Sequence, residues 1–134
     1  MTAFTQLGLN IVGEAEHDNS GYAVSLSSDG TVLAIGAPAN GGSDRGHTRI
    51  YAWDGSAWVQ RGSDIDGTRR DGNSVSLSAD GSTVAIGAKN YSEIADSAGR
   101  TRIYDWNGTA WVQRGSDLDG DAVGDQNGLS VSLS

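Results

Sequence analysis

One passage in this chain is written almost twice. Residues 48–67 read TRIYAWDGSAWVQRGSDIDG and residues 101–120 read TRIYDWNGTAWVQRGSDLDG. A second passage is copied too. Val24-Ser25-Leu26-Ser27-Ser28-Asp29-Gly30 returns as Val75-Ser76-Leu77-Ser78-Ala79-Asp80-Gly81, and Val131-Ser132-Leu133-Ser134 opens it a third time. The spacing is 51 residues from Val24 to Val75, 53 from Trp58 to Trp111 and 56 from Val75 to Val131. A period of this size marks stacked supersecondary units, none of which can bury its apolar face alone.

The repeat divides the 134 residues into about two and a half units. Residues 1–21 read as the strand and linker of a preceding unit, 22–62 as a first repeat and 63–73 as a linker. Residues 74–115 read as a second repeat, and 116–134 as a linker with the first strand of a third. Within each repeat the pattern is all-β. Tyr22–Ser27 and Thr31–Ala37 alternate in polarity about Asp29-Gly30, a two-residue hairpin signal that predicts a type I′ turn. Pairing about that turn sets Leu26 opposite Leu33 and Val24 opposite Ile35. In the second copy Leu77 faces Val84 and Val75 faces Ile86. Thr48–Trp53 and Ser56–Arg61 flank Asp54-Gly55, which predicts Tyr51 opposite Trp58 and Arg49 opposite Gln60. Asn107-Gly108 in turn predicts Tyr104 opposite Trp111.

Each repeat is thus expected to be a four-stranded antiparallel sheet. One face is bulky (Val24, Leu26, Leu33, Ile35) and one slim (Ser25, Ser27, Ala34, with Val32). Stacking bulky face on slim face is how propeller blades pack, so the expected fold is all-β: blades of a partial β-propeller. The connections Pro38–Gly46 and Lys89–Gly99 differ between copies in length and sequence and are expected at the surface.

Composition narrows the function. The net charge is −8, which argues against a nucleic-acid partner. There is no cysteine, so no disulfide staples the fold, and no apolar run approaches the ~18 residues of a membrane helix. Glycine numbers 20 and sits at turn positions, which reads as hairpin chemistry and not as disorder.

The carrying residues Gly21-x-Ala23-Val24-Ser25-Leu26-Ser27 followed by Ala34-Ile35-Gly36-Ala37-Pro38 resemble an FG-GAP repeat, the blade of the integrin α-subunit head propeller. The second copy carries Gly87-Ala88-Lys89 in place of Gly-Ala-Pro. The motif's first glycine stands as Gly21, Gly72 and Gly128, without the phenylalanine before it. The resemblance implies a non-catalytic extracellular or cell-surface scaffold for adhesion or protein interaction, in a larger chain or assembly. A carbohydrate-binding lectin and a subunit of a surface filament are the alternatives. Many such repeats hold calcium on an Asp-x-Asp-x-Asp-Gly loop between strands one and two. Here that connection is only Ser28-Asp29-Gly30-Thr31, so the site is not carried over.

Asp117, Asp119, Asp121 and Asp125 form an acidic cluster on a glycine-bearing linker, a candidate for Ca2+. The same residues equally suit a solvated linker whose Asp and Gly make turns. Trp53 and Trp106 at hairpin ends, with Asn40, Asp44, Arg45, Tyr91 and Glu93 in the variable connections, are the candidate contacts for a protein partner, another copy or a glycan. Asn90, in Asn90-Tyr91-Ser92, is a candidate glycosylation acceptor. No catalytic residue stands out. His17 and His47 have no zinc spacing, and copied sequence opposes the convergence of unlike residues that catalysis needs.

Overall fold

The computed structural model describes residues 3–40, 45–92 and 96–134. Those residues form two antiparallel sheets and no α-helix. The first sheet has β1 (Ala23–Leu26), β2 (Val32–Ala37), β3 (His47–Trp53) and β4 (Trp58–Gln60) in sequential order, with β5 (Ile65–Asp66) also on β3. The second repeats it with β6 (Ser74–Leu77), β7 (Thr83–Ala88), β8 (Arg100–Trp106), β9 (Trp111–Gln113) and β10 (Leu118–Asp119). The linker segments therefore contribute a short strand each. The chain turns away from β3 after Gln60 and rejoins it at Ile65, opposite Thr48.

The first hairpin of each repeat has the predicted register: Val24 opposite Ile35 and Leu26 opposite Leu33, Val75 opposite Ile86 and Leu77 opposite Val84. Its turn is not type I′, because Asp29 and Asp80 keep negative φ while Gly30 and Gly81 are left-handed at 73° and 72°. The side chain decides this. Asp29 Oδ1 accepts the Thr31 amide and hydroxyl and the Ser27 hydroxyl at 2.8–3.0 Å, which fixes a four-residue loop in place of two. In the second copy the Ser82 hydroxyl and amide and the Ser78 hydroxyl hold the Asp80 carboxyl down from the ordinary 3.8 to about 2. A carboxyl lowered on folding contributes stability above its unfolded value and loses it as pH falls toward its folded value. Between pH ~4 and ~2 the Ser82 and Thr83 amides should lose protection from hydrogen exchange in the native protein. In Asp80→Asn that acid-dependent step should be missing.

The second hairpin departs from the expected register by two residues. Trp53 faces Trp58 and Tyr51 faces Gln60, while Trp106 faces Trp111 and Tyr104 faces Gln113. Again a turn side chain is the cause. Asp54 Oδ1 accepts the amides of Ser56 and Ala57, each at 2.8 Å, and Asn107 Oδ1 accepts those of Thr109 and Ala110, each at 2.9 Å. Two further residues are thereby drawn into each turn. A shift of two preserves the face of every side chain, so the amphipathic pattern does not oppose it. The tryptophans pair with each other, ring centroids 5.4 Å apart in both copies, and not with Tyr51 and Tyr104.

The core lies between the sheets. Val75, Leu77, Val84, Ile86 and Tyr104 from the second cluster with Val32, Ala34 and Ile50 from the first. The bulky face of the second sheet thus rests on the slim face of the first. The same residues meet opposite fates in the two copies. Val24 and Leu26 are 61% and 56% exposed, Val75 and Leu77 8% and 4%. Leu77→Ala should therefore cost about 2–5 kcal/mol of unfolding free energy. Leu26→Ala should cost well under half of that, read from chemical denaturation midpoints of the two variants.

Backbone closeness completes the joint. A Cβ on Gly36 would lie 2.0 Å from the Gly72 carbonyl oxygen, and one on Gly87 would lie 2.1 Å from that of Gly128. The Ser25 hydroxyl accepts the Leu77 amide, and the Ser76 hydroxyl the Leu133 amide, both at 2.9 Å.

Candidate functional site

The most concentrated polar chemistry sits where β3 and β8 begin. His47 and Arg100 occupy matching positions, opposite Ala37 and Ala88 on one side and Asp66 and Asp119 on the other. Two acidic positions match as well. Asp64 and Asp117 precede β5 and β10, each accepting from a glutamine of the fourth strand, Gln60 or Gln113, at 2.6 Å. Asp18 and Asp71 each accept the amide three residues earlier, from Ala15 at 2.9 Å and Thr68 at 3.0 Å.

In the second copy this constellation is closed. Arg100 donates to Asp71 Oδ2 at 2.9 Å, to Asp117 Oδ2 at 3.0 Å and to the Thr68 hydroxyl at 3.1 Å. Its guanidinium carbon lies 3.8 Å from the centroid of the Tyr91 ring. Arg102 reaches the same Asp71 oxygen at 3.0 Å. Burial opposes the charge on Arg100, but the neighbouring Asp71 and Asp117 leave its pKa above the ordinary arginine value. This buried network ties the linker, the variable connection and the sheet together.

In the first copy the arginine is replaced by His47, which is 2% exposed. Its Nδ1 stands 3.6 Å from Asp64 Oδ2 and 3.8 Å from Glu14 Oε2, beyond hydrogen-bond reach, and has no partner. Arg49 occupies the other oxygen of each carboxylate, pairing with Glu14 Oε1 and with Asp64 Oδ1. Asn40 donates to Glu14 Oε2 at 3.1 Å and to Asp18 Oδ2 at 2.8 Å. Glu14, His47 and Asp64 are the group of three potential metal ligands, each offering an atom within 4.8 Å of the others, among the described residues.

The acidic residues expected to gather in the last linker do not meet in this way. Asp117 is engaged by Arg100 and Gln113, and Asp119 lies in β10. Asp125 Oδ2 accepts the backbone amides of Asp121 and Ala122 at 3.0 and 2.8 Å, which is turn chemistry. Of the contact candidates, Tyr91 is buried beneath Arg100 and not presented outward. Asn40 faces Glu14 and Asp18, and Arg45 is exposed. Asp44 and Glu93 lie outside the described residues. Trp53 and Trp106 are half-buried against their partner tryptophans, and the chain passing over each pair does so through a glycine. A Cβ on Gly8 or Gly62 would lie 2.9 Å from the Trp53 or Trp106 ring. Asn90 is half-buried beside Lys89, lining a small groove with Tyr22, Pro38 and Arg70.

Sequence spacing gives His47 no zinc partner and does not single out Glu14, because no motif joins residues 14, 47 and 64. The trace they leave is a pair of departures between copies: His47 stands where the second repeat has Arg100, and Glu14 where it has Gly67. No protein-family model matches the chain, and no curated protein matches it either. What is established is the class: an all-β protein of two stacked antiparallel sheets.

Proposed function

We propose that this chain is a non-catalytic interaction scaffold built from propeller-type blades of the FG-GAP kind, acting at the cell surface or outside the cell. The observation that carries the reading is that one joint occurs twice. The second sheet meets the first through Gly36–Gly72 and Ser25–Leu77, and residues 128–133 meet the second sheet through Gly87–Gly128 and Ser76–Leu133. Trp58 donates to the Leu7 carbonyl at 3.0 Å, and Trp111 to that of Arg61 at 2.8 Å. A joint that repeats by translation and rotation can be continued, which is the logic of blades and solenoids.

The apolar face of β1 supports association. Val24, Leu33 and Ile35 line a groove of about 370 Å3 with Leu9 and Ile11, and in the second repeat the matching face is covered by a sheet. The proposed occupant is the slim face of another such sheet, on a second copy. Light scattering at high micromolar concentration should give a mass above the monomer, reduced to the monomer by Val24→Lys. A monomeric mass throughout that range would sink the association.

Glycan binding is the second reading, favoured by a groove of about 320 Å3 that sets Trp111 and Tyr104 beside Asp64, Asp66 and Ser63. Quenching of tryptophan fluorescence by sugars, lost in Trp111→Ala, distinguishes it from the scaffold reading.

A further inference from the structure

We propose that Glu14, His47 and Asp64 form a binding site for a divalent transition-metal cation of the Zn2+ class, held through Glu14 Oε2, His47 Nδ1 and Asp64 Oδ2. The comparison of the two copies carries the argument. In the second, the space between the two linkers and the start of the strand holds a built-in cation, the Arg100 guanidinium, bonded to both Asp71 and Asp117. In the first, that cation is gone. A shorter imidazole stands at the position, and a carboxylate, Glu14, stands where the second copy aligns Gly67. Both changes remove a fixed positive charge or add a metal ligand.

The geometry is open in the right way. His47 Nδ1 is buried, has no hydrogen-bond partner, and points at two carboxylate oxygens 3.6 and 3.8 Å away. Ligands at 2.0–2.2 Å from a tetrahedral zinc lie roughly 3.4 Å from each other. The imidazole needs only a few tenths of an ångström to reach that spacing from each carboxylate oxygen, and the two oxygens, within 4.8 Å of one another, close the rest by side-chain rotation of the exposed Glu14. Arg49 is no competitor for these atoms, because it holds Glu14 Oε1 and Asp64 Oδ1. It orients both carboxylates so that their second oxygens face the imidazole. Asn40 does compete for Glu14 Oε2, at 3.1 Å, and would have to yield it.

Charge agrees. With a neutral imidazole, Glu14, Asp64 and Asp18 outweigh Arg49 by two negative charges, which one divalent ion cancels. A nitrogen among the donors selects zinc-like metals over calcium, which takes oxygen ligands alone. The remaining position would fall to water. Because the three residues come from the leading segment, β3 and the turn before β5, the ion would clamp residues 14–18 to the sheet.

Calorimetric titration of the metal-free protein with Zn2+ and, separately, with Ca2+ tests the site. One equivalent of Zn2+ is expected, with no comparable heat from Ca2+. Binding should shift the His47 imidazole resonances far more than those of His17, whose ring is exposed and takes no part in the site. The double variant His47→Arg, Glu14→Gly installs the second copy's arrangement and should stay folded by circular dichroism while its zinc affinity falls more than about 100-fold, beyond the effect of losing an outer-shell partner. His47→Asn should do the same as a single change. Absence of Zn2+ binding to the parent protein, binding retained in the folded variants, or a preference for Ca2+ would each overturn the assignment.

Discussion

Gly36→Ala and Gly87→Ala are expected to remove cooperative folding, or to cost more than about 3 kcal/mol where a folded state survives. Overpacking a tight core by one methyl usually costs about 1–3 kcal/mol because side chains can shift. Here the obstacle is a backbone oxygen, 2.0 Å from the new Cβ of residue 36 and 2.1 Å from that of residue 87. Neither glycine has the positive φ that would make the backbone conformation itself the reason. Gly30→Ala is the control. Its φ of 73° disfavours a side chain, but nothing lies within 4 Å, so the loss should stay at about 1–2 kcal/mol. Denaturant midpoints of the three variants test the ordering. A small cost at Gly36 would mean that the sheets can slide apart, and the close joint would then not be what sets their stacking.

Asp71→Ala is expected to destabilise by about 3–5 kcal/mol, the range for removing one partner of a buried ion pair. Asp71 is 1% exposed and its Oδ2 is shared by Arg100, Arg102 and the Thr68 amide. Without it Arg100 keeps Asp117, while Arg102 loses its carboxylate. Asp18→Ala, the same change in the first copy, should cost distinctly less, because Asp18 faces the neutral Asn40 amide and a backbone amide and carries no buried arginine. Thermal unfolding of the two variants side by side measures the difference. Equal losses would show that the aspartates act as turn caps alone and that the arginine network contributes little.

Much of this molecule was legible in its repetition. The copied phrases located both hairpins of each unit, and pairing about Asp29-Gly30 and Asp80-Gly81 gave the first-hairpin register. Alternation gave the faces, because a slip of one residue would turn Leu77 and Val75 outward. The second-hairpin register was not legible. A slip of two keeps every face, so polarity is silent on it, and the arbiter is whether Asp54 and Asn107 turn back to cap amides within their own loops. The site was less legible still. The acidic run at 117–125 drew attention through local density, yet Asp125 spends its carboxylate on turn amides and Asp117 on Arg100. Glu14, His47 and Asp64 are ordinary residues in sequence and meet only because the segment before β1 and the turn before β5 both reach the start of β3.

The sequence by itself determined that the chain is a repeated all-β array, where its turns fall and which side chains share a face, since these follow from local chemistry and a period of two. Tertiary structure alone decided which copy of an identical leucine is buried, because burial depends on whether another sheet lies over it. It likewise decided that one repeat closes its charged corner with an arginine while the other leaves an imidazole facing two carboxylates. That contrast requires three distant segments to be brought within a few ångströms, and no local pattern encodes such a distance.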